Sequence, residues 1–322
     1  MKKWLAVFVA LAMLCTFSPL CSACGGAQNE SSVCDFMTQA AAAVHQLFSR
    51  LTGSGVFSFT VYGKGHGVGM SQLGSLEYAR QGWSYDQILL HYYPGVSMEQ
   101  ENPMPLMIYN GAGRKTEDFL VRAVQQEMGV GAANPEAYKA QAVAVYTMLK
   151  QKKFNLTSAD VACSTVKNSE LSDAVRSAVK SVLGQYMAYN GKPIIAAFHA
   201  CSAGKTTDSQ SVWGMELPYL TGVDSPESFG ASGSFITTHE LKSLVRRYNA
   251  AHPAKPITLS GDPAQWLEIL THDGANGDVG YVSAIRVGNL TMSGNTFRTV
   301  YNQYRPRGTA ALQSHCFSVR YA

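Results

Sequence analysis

A short glycine-rich segment carries the residues best suited to chemistry. It reads Gly63-Lys-Gly-His66-Gly-Val-Gly-Met and continues directly into Ser71 and Gln72. Glycines at alternate positions let the backbone take positive φ angles and let another group approach closely. The spacing predicts a site built on one imidazole, one hydroxyl and one amide. A glycine-rich turn with an incidental histidine fits the same pattern.

Glu127 is the candidate acid. It lies in the sequence Val-Gln-Gln-Glu-Met-Gly, where the apolar face of a predicted helix meets Gly129. A carboxyl group that is partly removed from water holds its proton more firmly, which suits a general acid. Most helical glutamates are solvated surface charges, so position alone does not separate the two interpretations.

A second polar group follows a predicted buried strand that ends at His199. Cys201 lies two residues later and Lys205 follows in the same loop, a position where functional residues often occur. These residues fit a nucleophile–base pair, or zinc ligands together with Cys163 or His66. A polar loop ordered by its own hydrogen bonds explains them equally well.

Periodicity predicts the elements that must position these side chains. Alternation predicts a strand over 56–62 that leads into the glycine segment. Helical spacing and capping residues predict helices over 74–82, 85–93, 117–128, 135–149 and 169–184. Apolar runs predict strands over 107–109 and 194–199, and further short helical or strand pieces over 265–270, 282–287, 296–300 and 317–321. Because no regular βαβ rhythm emerges, the prediction is an α+β fold.

Composition and the N-terminal sequence limit the class of protein. Of 322 residues, 46% are hydrophobic and 15% charged, which is enough for a large core. The net charge is only +4 and the sequence has no run of Lys and Arg residues. Both features argue against nucleic acid as a partner. Residues 1–24 have the layout of an export signal, and Cys24 resembles a point of lipid attachment on the outer face of a bacterial membrane. Cleaved and uncleaved signals also fit, and this N-terminal anchor is the only predicted membrane contact.

The remaining chain divides into a predicted tether with one short helix (25–55) and a predicted catalytic domain (56–322). Seven cysteines are present, three of them in the signal. Cys34, Cys163, Cys201 and Cys316 remain, and none forms a C-x-x-C pair. Their spacing does not decide how they pair.

Several motifs together resemble one known family. Gly65–Gln72 reads Gly-His-Gly-Val-Gly-Met-Ser-Gln, and His91-Tyr-Tyr-Pro-Gly follows it. Glu127-Met, Lys139-Ala-Gln-Ala-Val and Gly204-Lys-Thr match further positions, so that nearly all of residues 56–322 resembles the SpoIID/LytB family. The resemblance implies a lytic transglycosylase that cleaves peptidoglycan glycan strands, preferably strands without stem peptides.

The resemblance also implies roles for individual residues. Glu127 matches the acid that protonates the bond between N-acetylmuramic acid (MurNAc) and N-acetylglucosamine (GlcNAc). It would then act as base on the muramic acid 6-hydroxyl to give a 1,6-anhydro end, so one carboxyl group serves both steps. The residues expected to bind the substrate are His66, Ser71, Gln72, Lys139, Gln141, Tyr146, His199 and Lys205.

Three departures from the family pattern have consequences. The glycine segment precedes the Glu127 helix instead of closing the domain, which predicts a circular permutation. Tyr146 stands where the family often has arginine, which removes a charged partner expected near the acid or substrate. Of the Cys/His cluster that binds zinc in some members only Cys163 remains, so no cofactor is expected and Cys163, His199 and Cys201 are weak metal candidates.

Two alternative functions stay open at this point. One is a non-catalytic cell-wall protein that enhances a wall amidase, as the LytB branch is named for doing. The other is a zinc-dependent wall hydrolase built on His66, His199 and Cys201. Sporulation and other wall remodelling both fit the sequence.

Overall fold

The structure is a computed structural model that describes residues 55–129, 134–165, 167–227, 230–277 and 279–322. The predicted export signal with Cys24, and the predicted tether apart from residue 55, lie outside these ranges. Across the described residues, every helix is too short or too polar to cross a membrane.

Helices and strands are numbered separately in chain order. The helices are α1 (Gln72–Arg80), α2 (Tyr85–Tyr92), α3 (Thr116–Met128), α4 (Pro135–Gln151), α5 (Asp173–Ser181), α6 (Ser209–Trp213), α7 (Thr238–Ala251) and α8 (Gly294–Tyr304). The strands are β1 (Val56–Tyr62), β2 (Met70–Ser71), β3 (Ser97–Gln100), β4 (Leu106–Tyr109), β5 (Ala112–Lys115), β6 (Asn155–Leu156), β7 (Gln185–Tyr189), β8 (Lys192–Pro193), β9 (Phe198–His199), β10 (Ser232–Thr237), β11 (Leu267–His272), β12 (Val282–Val287), β13 (Leu290–Met292) and β14 (Cys316–Tyr321). The mixed helices and small, mainly antiparallel sheets confirm the predicted α+β class.

The first hydrophobic core surrounds α4. Asn134 caps this helix by accepting a hydrogen bond from the Glu136 N–H, and Pro135 occupies its first turn. Fully buried alanines such as Ala140 and Ala144 let α1, α2, α3 and α5 approach closely. Sheets β3–β7–β8 and β5–β4–β6 complete this part of the fold.

The second core lies under the antiparallel sheet β10–β1–β14. In the register of this sheet, Phe59 is opposite Ser234 on one side and Val319 on the other. Its ring packs at 5.4 Å from Tyr301 and 5.6 Å from Phe317, in edge-on geometry. Helices α7 and α8 and the sheet β11–β12–β13 enclose these rings.

The glycine segment joins the two cores. The N–H of Gly65 donates to the carbonyl of Gln313, just before β14, at 2.9 Å. The N–H of Met70 donates to the carbonyl of Ala197 at 3.1 Å, and β2 pairs in parallel with β9. Residues 63–72 therefore contact β1 and the approach to β14 at one end, and the first core at the other.

Most predicted elements are present, and two need correction. The predicted strand over 194–199 is wrong over most of its length, because only Phe198 and His199 pair as β9. The N–H of Ala197 bonds to Ile195 two residues back, and its carbonyl accepts from Met70, so the segment turns before it pairs. The predicted helix over 169–184 is a 3-10 turn (Asn168–Glu170) followed by α5, which starts after the capping residue Ser172.

The short C-terminal pieces take definite forms. Residues 296–300 belong to α8, and the segment 265–270 is the end of a 3-10 turn followed by β11. The strand over 56–62 is confirmed at both ends. Asn110 and Gly111 form the turn that joins β4 to β5, with positive φ at both residues.

Candidate active site

At the alternating glycines of residues 63–69, other parts of the protein lie too close to the backbone to leave room for a side chain. Gly67 has a φ of +73°, and a Cβ there would lie 2.4 Å from the Tyr281 ring. Gly69 has a φ of +71°, and a Cβ would lie 2.1 Å from the carbonyl oxygen of Ala197. A side chain at either position would force the segment away from its neighbours. The glycines thus fix the path that presents His66.

His66 is half-buried and neutral. Its Nδ1 accepts a hydrogen bond from the Val68 N–H at 3.1 Å. Burial, and then the nearby positive charge of Arg298, lower the pKa of His66 to about 4. Its ring lies 5.6 Å from His199 and 5.3 Å from Trp213, measured between centroids. His66 therefore offers a neutral ring beside an exposed aromatic surface.

A cleft of about 280 Å³ opens beside His66. Trp213, which is 38% exposed, forms another part of its wall. The other walls mix apolar with polar side chains, among them Met148, Gln151, Lys152, Asp160, Ile195 and Phe198. Aromatic surface with a few polar groups is typical of sites that bind small organic rings.

Glu127 stands at the C-terminal end of α3, where two donors hold its half-buried carboxyl group. Nε2 of Gln72 donates to Oε2 at 3.2 Å, and the Ala162 N–H donates to Oε1 at 3.2 Å. Gln72 continues the glycine segment, and Ala162 lies two residues beyond Asp160 in the wall of the cleft. Glu127 is thus bracketed by the same two segments that border the cleft.

A buried carboxylate that sequence reasoning missed, Glu227, supports the glycine segment. Its Oε1 accepts from the Ser71 hydroxyl at 2.5 Å, and from the N–H and hydroxyl of Ser202 at 2.7 and 2.6 Å. Its Oε2 accepts from the Ser225 hydroxyl. Glu227 thereby ties the residue before Gln72 to the loop after β9. No motif signals this role, since the glutamate lies in an irregular Asp-Ser-Pro-Glu loop.

Ser71, expected to bind substrate, has its hydroxyl committed inside the protein. It is fully buried, donates to Glu227, and accepts the Gly74 N–H at 3.1 Å as the cap of α1. Ser71 and Gln72, adjacent in sequence, thus bond to two different carboxyl groups: the buried Glu227 and the half-buried Glu127.

Two expected substrate residues on α4 have structural partners. Lys139 forms an ion pair with Glu136 at 2.7 Å. Tyr146 donates to Glu101 at 3.0 Å, and burial raises the pKa of Tyr146 to about 12. The position where the family often has arginine therefore contacts Glu101 rather than Glu127.

The other expected substrate residues differ in exposure. Gln141 is fully buried in the first core, and its side-chain oxygen and nitrogen form no hydrogen bond with the described residues. Lys205 is exposed, and its backbone pairs with Asp224. The structure pairs Gln72 with Glu127 and packs His66 against His199, and it leaves Lys139 and Tyr146 in contacts of their own.

His199 and Cys201 lack the features of a nucleophile–base pair. Nδ1 of His199 lies 3.3 Å from the Val68 carbonyl, and burial holds the pKa of His199 well below its ordinary value. Burial raises the pKa of Cys201 to about 12, which disfavours the thiolate. Cys163, Cys201 and Cys316 are free thiols. The described ranges contain no group of three His, Cys, Asp or Glu side chains arranged to hold a metal ion.

Comparison with known proteins identifies related sequences. Residues 113–189, from β5 to the end of β7, match the family model SpoIID, described as stage II sporulation protein. The chain is 25% identical over 159 residues to stage II sporulation protein D of Bacillus subtilis (strain 168), covering 41% of this chain and 46% of that protein. It is 27% identical over 154 residues to stage II sporulation protein D of Bacillus amyloliquefaciens, covering 39% and 44%. The aligned regions thus span less than half of these relatives.

Proposed function

Since the chain belongs to the SpoIID family, we propose that it is a cell-wall lytic enzyme, specifically a peptidoglycan lytic transglycosylase acting on glycan strands without stem peptides. The observation that carries this proposal is the placement of Glu127. Its carboxyl group accepts from Gln72, 55 positions away in sequence, and from Ala162, and the segments that carry these two donors also supply His66 and Asp160 to a cleft with an aromatic wall.

In the proposed reaction Glu127 begins as the protonated acid. Each carboxyl oxygen accepts one hydrogen bond, from Gln72 or Ala162, so a lone pair remains to carry the reactive proton. The proton passes to the oxygen between MurNAc C1 and GlcNAc. That bond breaks, and its electron pair leaves with GlcNAc as a hydroxyl group.

The same carboxylate then acts as a base. It removes the proton of the MurNAc 6-hydroxyl, whose oxygen forms the new bond to C1 and closes the 1,6-anhydro ring. No water is consumed and Glu127 regains its proton. A second carboxylate is unnecessary, in contrast to a hydrolase that activates water. Gln72 and the Ala162 N–H stabilise the ionised intermediate form of Glu127.

The cleft beside His66 is the proposed sugar site. Sugar rings present C–H faces that pack on aromatic surfaces, and Trp213 is partly exposed there next to the neutral His66 ring. Ser71 and Glu227 support this wall from behind. His199 and Lys205 are proposed to contribute to this sugar site. His199 would do so by holding the Val68 backbone, and the exposed Lys205 from the rim of the cleft.

The proposal extends to location and partners. An exported protein, anchored through Cys24 or another form of the N-terminal signal, would meet glycan strands outside the membrane, together with a wall amidase that strips them. The proposed permutation is supported by the contact of Gly65 with Gln313 just before β14. It would explain a glycine segment that is early in sequence yet adjacent to the final strand.

The test is product analysis with glycan strands stripped of stem peptides. The purified chain is expected to release fragments with 1,6-anhydro ends, identified by mass spectrometry, and Glu127→Gln is expected to abolish them. Glu99→Gln, an exposed glutamate on β3, is the matched control and should remain active. No product from the wild-type chain with any added metal would refute the enzymatic function and favour an amidase enhancer. Activity that survives Glu127→Gln but disappears with a chelator would favour the zinc hydrolase.

A further inference from the structure

A second cavity, of about 510 Å³, lies at the start of α3. All five residues that line it are ionisable: Arg114, Lys115, Glu117, Asp118 and Arg176. They come from β5, the first turn of α3 and helix α5. Nothing in the proposed chemistry at Glu127 uses them.

The two acids of this cavity already have cationic partners. Asp118 pairs with Arg122 at 3.0 Å, and Glu117 pairs with Lys180 at 3.7 Å. Both partners lie outside the set of lining residues. The negative charge in the wall is therefore balanced without the lining cations.

The three lining cations, by contrast, form no ion pair within the described ranges. Arg114 lies over the Tyr109 ring at 5.6 Å, which orients its guanidinium without neutralising it. Arg114 and Lys115 are exposed and Arg176 is half-buried. The cavity therefore presents about three uncompensated positive charges to solvent, a field that attracts anions.

Contacts connect this cavity to the proposed catalytic acid. The hydroxyl of Tyr109, beneath Arg114, donates to the Val161 carbonyl at 3.1 Å, and the next residue, Ala162, donates to Glu127. Helix α3 carries cavity residues in its first turn and Glu127 in its last. At about 1.5 Å rise per residue, the nine residues from Asp118 to Glu127 span about 14 Å. This distance is within the reach of a bound strand of several sugars.

We propose that Arg114, Lys115 and Arg176 bind the lactyl carboxylate of a muramic acid residue away from the cleaved bond. The inference rests on the proposed function and assigns its preference for stripped strands to these three side chains. Muramic acid is the sugar of the strand that carries a carboxyl group, and that group is free and charged only when the stem peptide has been removed. Guanidinium and ammonium groups match a carboxylate in charge and hydrogen bonding. The cavity would thereby select stripped strands.

The experiment measures binding of the full chain in a Glu127→Gln background, so that strands remain intact. The ligands are stripped strands and the same strands with their carboxyl groups converted to neutral amides. The triple variant R114Q/K115Q/R176Q is expected to bind stripped strands about 10-fold more weakly at low ionic strength, because each exposed charge contributes modestly. High salt should reduce this difference in affinity between the triple variant and the Glu127→Gln chain. Lys242 and Arg246 line a separate cavity of about 350 Å³ on the second core, and K242Q/R246Q is the matched control.

The outcomes separate this inference from the proposed chemistry. Amidated strands should bind the Glu127→Gln chain as weakly as stripped strands bind the triple variant. The thermal unfolding of the variants should be the same as that of the Glu127→Gln chain. Equal binding of stripped and amidated strands would overturn the inference, as would an equal loss in K242Q/R246Q. Release of 1,6-anhydro ends by the wild-type chain is measured independently. If it fails while charge-dependent binding persists, only the chemistry is refuted.

Discussion

Removing the carboxylate of Glu227 tests how the glycine segment is held. In Glu227→Ala four donors lose their acceptor: the Ser71 hydroxyl, the N–H and hydroxyl of Ser202, and the Ser225 hydroxyl. Hydrogen bonds to charged groups contribute about 1.5–3 kcal/mol each, and part of that loss is recovered when water enters the space. We expect the free energy of unfolding to fall by about 3–5 kcal/mol, a large share of a typical total.

The conservative variant sharpens this prediction. Glu227→Gln keeps one acceptor oxygen, which can retain the bonds from Ser71 and Ser202, so its expected cost is about 1–2 kcal/mol. Urea denaturation followed by circular dichroism measures both variants. Glu268→Ala, at an exposed glutamate paired with Arg286 on the second core, should stay within about 0.5 kcal/mol of wild type.

A double-mutant cycle checks the mechanism. Ser202→Ala should destabilise the wild-type chain but have almost no further effect in Glu227→Ala, because the acceptor of its hydroxyl is already gone. Additive costs, or a Glu227→Ala cost below about 1 kcal/mol, would refute the view that this carboxylate organises the loops.

Three further predictions concern the glycine segment, the buried histidine His315 and the cleft. Gly69→Ala should lower the melting temperature strongly, because its Cβ would lie 2.1 Å from the Ala197 carbonyl oxygen at a φ of +71°. Gly82→Ala is the control: φ is also positive there but no atom lies within 4 Å, so its melting temperature should fall less. Burial lowers the pKa of His315 to about 3, so the unfolded state binds more protons between about pH 6.5 and 3. Stability should fall as the pH drops through that window, and His315→Gln should reduce the slope in urea titrations. Trp213→Ala should raise KM on stripped strands about 10-fold with little change in kcat, and an unchanged KM would remove this residue from the sugar site.

Local periodicity was sufficient to predict most of the fold. The helix predicted over 117–128 differs from α3 by one residue at its start, because apolar spacing and Gly129 mark both ends. The strand predicted over 56–62 matches β1, because apolar residues at alternate positions point to the one buried face of the sheet. The strand predicted over 194–199 was wrong over most of its length because a run of apolar residues indicates burial but not β-sheet hydrogen bonding. Ile194 and Ala196 are buried without lying in a strand.

The candidate site was predictable only in part. Glu127 and the glycine segment could be found from motif context, and the structure brings them together through Gln72. Glu227 could not, because its partners are scattered along the chain and its interactions depend on tertiary packing. The motif also suggested that Ser71 faces substrate, whereas its hydroxyl points into the interior as a helix cap.

The strand order β10–β1–β14 has a consequence for the order of folding. β1 is the central strand of its sheet, yet both of its partners are made much later in synthesis, the last of them at Cys316–Tyr321. The first core draws on residues from Val68 to Leu220 and can assemble before that strand exists. β1 has two open edges until β10 is made and keeps one open edge and part of its apolar face exposed until β14 is made, a condition that favours aggregation or capture by a chaperone. Completion of the sheet is therefore expected to be the slow step of folding, since it joins residues as far apart in sequence as Val56 and Ala322.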